Sequence, residues 1–213
     1  MNNNKRSLYI IGGPARAGKT KTLKRMEMER EKSLIVVSTD NLRFKDRFRN
    51  LKIGDVGNVA LPIKQPNFKS NIMSFDFIKT DAGDDEYALM ATRKILDFYD
   101  RENKFDILIE GVAIKADVVK ELKPKNLIKR TAFLGYSNEG HIDCMKKSPG
   151  YLAGKSDEEF ISTVLQGISQ SSVDKKASLD IADCKYFDCS CCAKGDSFEE
   201  RLQKIIDFLL AEQ

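Results

Sequence analysis

The chain has 213 residues, a net charge of +4 and a pI near 8.7. Hydrophobic residues make up 41% and charged residues 32%, which fits one folded domain of ordinary size, or one with an insertion, and excludes a disordered chain. The mild basic excess allows an anionic ligand without demanding nucleic acid or a membrane surface.

Taken in chain order, short apolar runs alternate with longer amphipathic stretches. "SLYIIGG", 7 to 13, reads as a first strand, and 18 to 31 as a helix of good helix formers. "SLIVVSTD", 33 to 40, reads as a second strand ending at Asp40. Residues 41 to 83 carry no long helical pattern and hold Pro62, Pro66 and several glycines. A helix is expected over 84 to 102, a third strand at "FDILIEG", 105 to 111, and a helix over 115 to 122. The fourth strand is "LIKRTAFLGYS", 127 to 137. Residues 138 to 155 again break the rhythm, and a helix follows from 155 to 178. A weaker fifth strand is "CKYFDCS", 184 to 190. A last helix, 196 to 212, carries an apolar stripe at Phe198, Leu202, Ile205, Ile206, Leu209 and Leu210. Continuous apolar strands separated by helices predict an α/β fold, with about five parallel strands and helices on both faces. Both irregular stretches follow strand ends, where open α/β sheets place their ligand crevice. We therefore expect a single domain, with a substrate-binding insert at 41–83 and a lid at 138–155.

The first strand runs into Gly13, Pro14, Ala15, Arg16, Ala17, Gly18, Lys19 and Thr20, which fit G-x-x-x-x-G-K-[ST] at every required position. Glycines let backbone N–H groups turn toward phosphate oxygens, and the helix that follows adds its positive N-terminal end. Lys19 is suited to neutralising the β- and γ-phosphates, and Thr20 offers a hydroxyl to Mg²⁺. With Lys21 opening the helix, residues 13 to 21 form a nucleotide site, for which ATP is a better fit than GTP. "NKFD", 103 to 106, matches a guanine-selecting motif but precedes a strand instead of following one. No aspartate has a glycine three residues later, so the γ-phosphate sensor of GTP switches is missing.

Two further acids stand at strand ends. Glu110 closes the third strand, where a carboxylate can hold the Mg²⁺ shell or a water; a merely solvated strand-end acid is the bland alternative. Asp106, at the start of that strand, should face away from the phosphates. In "STDNLR", 38 to 43, Asp40 is placed to act as a base or orienting group near an acceptor hydroxyl, and Arg43 to clamp an anion. Asp40 also suits a helix cap, and the two roles can coexist.

Together "GGPARAGKT", "STDNLR" and "IEG" resemble the P-loop kinases of the nucleoside-monophosphate-kinase-like superfamily. The D-x-x-R after strand two is similar to that of polynucleotide 5′-hydroxyl kinases, zeta-toxin kinases and adenylylsulfate kinases, and the E-G to the uridine kinase branch. The resemblance implies the three-layer P-loop NTPase fold, ATP with Mg²⁺ as donor, a substrate hydroxyl as acceptor and a mobile lid after strand four. By analogy Asp40 is the base, Arg43 the substrate clamp, and Lys19 with Thr20 the phosphate and Mg²⁺ groups. The lid departs from the pattern. Residues 138 to 178 contain no arginine and offer Lys146, Lys147, Lys155, Lys175 and Lys176 instead, so Arg16 or Arg130 is left to compensate. "MKKSPGYLAGK", 145 to 155, reads equally as a lid and as a solvated basic loop.

The acceptor is less legible. "NLRFKDRFRNLK", 41 to 52, interleaves basic residues with Phe44 and Phe48, which suits a nucleic-acid backbone with stacked bases. An amphipathic helix with Leu42 or Phe44, Phe48 and Leu51 facing inward explains the same spacing better. Lys64 in "LPIKQPNFKSN" reads as a solvated loop lysine, with an anion contact as the alternative. We expect a small acceptor, with phosphorylated or carboxylated metabolites as candidates, and do not favour nucleic acid. A P-loop protein that binds or hydrolyses ATP without transfer remains the competing class. No apolar run approaches the ~20 residues of a membrane span, and the five cysteines suit a reducing, cytoplasmic setting. Cys189, Cys191 and Cys192 crowd together without zinc-ligand spacing and read as thiols.

Overall fold

Alternate residues of one strand serve opposite sides of the sheet. Leu8 and Ile10 enter one core cluster while Tyr9 and Ile11 enter a second, and all four are buried. The buried run of such a strand is apolar because both of its faces are covered. The computed structural model describes residues 6–30, 34–42, 63–64, 84–102, 105–125, 127–137, 140–146, 156–190 and 197–211. The elements run β1 (Arg6–Gly12), α1 (Lys19–Arg30), β2 (Leu34–Ser38), α2 (Thr39–Leu42), β3 (Ile63–Lys64), α3 (Asp84–Glu102), β4 (Asp106–Gly111), α4 (Ala116–Glu121), β5 (Leu127–Gly135), α5 (Gly140–Lys146), α6 (Asp157–Ser178), β6 (Cys184–Asp188) and α7 (Phe198–Leu210).

The sheet order is β3-β2-β4-β1-β5-β6. The five longer strands are parallel, as expected, and β3 adds a two-residue antiparallel edge against Val36 and Val37. One face carries Leu8, Ile10, Ile35, Val37, Ile107, Ile109 and Phe133 under Ala88 and Leu96 of α3 and Val119 of α4. The other carries Tyr9, Ile11, Val36, Leu108 and Leu134 under Met26 of α1, Val164 of α6 and four residues of α7. Those four, Leu202, Ile205, Ile206 and Leu209, belong to the predicted stripe, and each such burial contributes about 1.5–3 kcal/mol. Reciprocal capping boxes start the last two long helices, Ser156 with Glu159 on α6 and Ser197 with Glu200 on α7.

Three local departures have physical causes. β2 stops at Ser38, so Asp40 is the second residue of a short helix and does not end the strand. Its neighbour β4 ends at Gly111, where a φ of +148° turns the chain away and leaves no ladder partner beyond Ser38. Helix α5 lies inside 138–155, where no element was expected. Among its described side chains the buried ones are His141 and Met145, one turn apart, a stripe too short to register as a pattern. β3 falls between Pro62 and Pro66, whose turn chemistry masks so short a strand. Most of 41–83 and 138–155, with Arg43, the basic stretch to Lys52, Lys147, Lys155, Cys191 and Cys192, lies outside the described residues.

Asp174 of α6 is 1% exposed. Its Oδ1 accepts from Gln170 Nε2 at 2.9 Å, and its Oδ2 has no partner among the described residues. Burial pushes its carboxyl from 3.8 up to about 6, against the Gln170 bond and the Lys115 charge that pull it down. An acid with a higher pKa folded than unfolded binds more protons in the native state, so stability falls as pH rises through that window. Asp174→Asn should remove this fall, which amounts to at most roughly 3 kcal/mol between pH 4 and 7. Urea unfolding of both proteins across that range checks it; parallel stability profiles would contradict it.

Candidate active site

The parallel register brings the C-terminal ends of three strands level. Gly12 of β1 pairs with Gly111 of β4, and Ser38 of β2 pairs with Glu110. Residues that follow these strands therefore meet at one end of the sheet, where chain reversals open a crevice.

The loop after β1 is held by its own side chains. Gly13 has a φ of +128°, and a Cβ there would stand 1.9 Å from the Leu134 carbonyl oxygen, so glycine is required twice over. Arg16 has a φ of +65°, a left-handed conformation that lets successive amides form a concave nest. Lys19 is buried, and its Nζ donates to the carbonyls of Gly13 at 3.0 Å and Pro14 at 2.8 Å. The amides of Lys21 and Thr22 donate to Gly18 O, which starts α1 directly behind the loop. Thr20, in the first turn of α1, is exposed.

At the ends of the neighbouring strands β4 and β2 lies a carboxylate pair. Glu110 is 6% exposed and accepts a hydrogen bond from Ser38 Oγ. Burial pushes its carboxyl up; the Ser38 bond and the Lys19 charge pull it back, and the Asp40 charge adds to the rise. Asp40 is half-buried, and its Oδ1 accepts from the Val112 amide at 2.8 Å. Thr39, fully buried, lies against Gly111, where a Cβ would stand 1.8 Å from Thr39 Oγ1 and 2.8 Å from Asp40 Oδ1. Gly111 thus lets α2 press against the end of β4, which sets Asp40 beside Glu110.

The loop from Gly13 through Pro14, Ala15, Arg16, Ala17 and Gly18 to Lys19 and Thr20, with Glu110 and Asp40, is brought to one place. Other expected residues are not. Lys21 sends its ammonium over the Phe198 ring of α7, 4.1 Å from the centroid. Arg130 is buried and donates to Phe208 O at 3.0 Å, so it braces α7 and cannot replace a lid arginine. Arg16 places its guanidinium over the Phe160 ring of α6, at 5.0 Å, directly beside the loop. Asp106 accepts from the Ser7 amide at 2.7 Å, at the opposite end of the sheet, as its position in the strand implied. Cys184 and Cys189 form no disulfide, and no metal-binding group of acids, cysteines and histidine occurs among the described residues. Ser38, Thr39 and Tyr136 were not singled out from sequence; Ser38 and Thr39 stand inside the "STDNLR" motif, and Tyr136 bears no motif at all.

In sequence the chain matches no described protein family and no curated protein. In structure it is similar to a shikimate kinase from Bacteroides thetaiotaomicron, with a TM-score of 0.53 and 14% identity over 95% of this chain and 98% of that one. It is also similar to a sugar kinase from Janibacter sp., with a TM-score of 0.56 and 17% identity over 96% and 94%. A gluconokinase from Sinorhizobium meliloti gives 0.51 and 12% over 96% and 91%. At these identities the likeness shows the fold, which is that of P-loop kinases. No helix among the described residues is long and apolar enough to cross a membrane.

Glu110 costs the unliganded fold stability, because its raised pKa makes stability fall as pH climbs above the ordinary carboxylate range. Glu110→Gln should therefore melt at a higher temperature than the parent at pH 8, with the difference vanishing at pH 4. Thermal unfolding at the two pH values measures this; equal melting at pH 8 would refute it.

Proposed function

We propose that the protein is an ATP-dependent phosphotransferase that moves the γ-phosphoryl group to a hydroxyl of a small, anionic metabolite or nucleotide. One observation carries the reading: the nested loop with buried Lys19 follows β1, Glu110 and Asp40 stand at the ends of the adjacent β4 and β2, and the charges of Lys19 and Asp40 both act on Glu110. The names of the three similar structures, all kinases of small molecules, agree with it.

The residues present fit Mg²⁺ and ATP. Positive φ values at Gly13, Arg16 and Gly18 curl the loop, α1 points its N-terminus at the nest, and Thr20 and Glu110 supply oxygen ligands, partly through water. Bound there, the nucleotide supplies the phosphoryl group and the metal neutralises its charge. The loop amides and Lys19 hold and neutralise the phosphates, and Arg16, a residue of the loop itself, is the candidate for the guanidinium that residues 138 to 178 lack. Asp40 keeps one carboxylate oxygen on the Val112 amide and presents the other to the acceptor hydroxyl, whose proton it takes. Arg43, three residues on, clamps an anionic group of the acceptor, and 41–83 and 138–155 serve as acceptor insert and lid. The setting is cytoplasmic, and ATP is preferred over GTP.

Incubation with Mg²⁺, ATP and a panel of hydroxyl metabolites, including an oligonucleotide with a free 5′-hydroxyl, tests the proposal by ADP release. We expect release to rise at least about tenfold with one small acceptor, the margin above slow hydrolysis that transfer requires. Asp40→Asn should lower transfer by about 10²–10⁴-fold with ATP binding nearly intact, and Lys19→Ala should weaken ATP binding itself. ADP release indifferent to every acceptor would leave an ATP-hydrolysing protein, and an undiminished Asp40→Asn would remove the base.

A further inference from the structure

The carbonyls of three successive loop residues are each held by a side-chain donor. Lys19 holds those of Gly13 and Pro14, and the Tyr136 hydroxyl donates to Ala15 O at 3.0 Å. A trans peptide is planar, with its C=O and N–H pointing in opposite directions. Holding Ala15 O therefore fixes the direction of the Arg16 N–H, away from Tyr136. Arg16 is the non-glycine residue of the loop with a positive φ, and its peptide is one of the places where the nest turns.

Tyr136 is itself fixed on every side. It follows β5 directly and is fully buried. Its ring stacks on His141 of α5 with centroids 4.2 Å apart and planes 22° from parallel. Its amide donates to Ser171 Oγ at 3.1 Å, and that hydroxyl donates to Gly167 O at 2.7 Å. Gly167 lets α6 approach: a Cβ there would stand 2.0 Å from the Tyr136 hydroxyl oxygen and 3.0 Å from Pro14 Cβ. Burial pushes the phenol up to about 12, so it remains a donor at any working pH. The same helix supplies Phe160 beneath the Arg16 guanidinium.

We propose that Tyr136 is a positioning residue for the phosphate-binding loop, its hydroxyl setting the 15–16 peptide so that the Arg16 amide faces a bound polyphosphate. The proposal rests on reading the loop as a polyphosphate site. Lys19 is the group that phosphate would draw away from the loop carbonyls. Tyr136 carries no charge and keeps its grip whether or not the site is filled. It makes α6 part of the loop's support.

Tyr136→Phe removes the hydroxyl alone. Inorganic tripolyphosphate with Mg²⁺, titrated calorimetrically, should bind the variant about fivefold to tenfold more weakly than the parent, the loss of one hydrogen bond's orienting effect. Amide hydrogen exchange of the unliganded protein should quicken at residues 15–18 and stay unchanged in β1 and α7. Gly167→Ala, which drives a methyl into the same hydroxyl, should reproduce both effects and serves where Tyr136→Phe is poorly folded. Equal tripolyphosphate affinity, or exchange that quickens throughout the molecule, overturns the proposal. A parent protein that binds neither tripolyphosphate nor ATP overturns the polyphosphate reading instead. Exchange then still decides the clamp, because unchanged loop amides in Tyr136→Phe would refute it.

Discussion

The side chain that Gly111 lacks is the constraint on which the site depends. β2 and β4 run in register to their ends, and only a residue without a Cβ allows Thr39 and Asp40 to close over the last rung. With any other residue the start of α2 would be pushed off the sheet, and Asp40 would lose the Val112 amide that orients it. A backbone at φ +148° strains an ordinary residue as well, so steric and torsional demands select the same amino acid. The acid that we read as the base is thus fixed through a neighbour with no chemistry of its own.

The loop and the carboxylates oppose one another in stability. Lys19 is buried but shielded by two carbonyls and by the nearby Glu110 charge. Glu110 is held out of water with one hydroxyl partner, Ser38, and with Asp40 adding repulsion. Buried acids of this kind weaken the fold. The two apolar clusters on either side of the sheet supply the stability that this arrangement consumes.

Periodicity made the scaffold legible. Five apolar runs became the five parallel strands, and the stripe from Leu202 to Leu209 became the buried face of α7, because burial on both faces of a strand or one face of a helix leaves a pattern. The loop at 13–20 was legible because a tight turn between a strand and a helix restricts residue types at fixed spacing. Glu110 and Asp40 were visible as acids at strand ends, but their closeness depends on register, which no local pattern records. Ser38 and Tyr136 were illegible for another reason: each acts through one hydrogen bond to a partner 72 or 121 residues away. Arg130, read with Arg16 as a stand-in for the missing lid arginines, instead caps a carbonyl of a packed helix 78 residues away, a partner that no local pattern records.

The outermost strand at the far side of the sheet carries a different consequence. β6 pairs with β5 along one side and, among the described residues, has no strand on the other. An open ladder invites a strand from another molecule. β6 is only five residues long and sets an exposed Lys185 amid its aromatic residues, whose ammonium lies 5.3 Å from the Phe187 ring centroid. A charge that must be stripped of water before another chain can dock disfavours pairing at this edge.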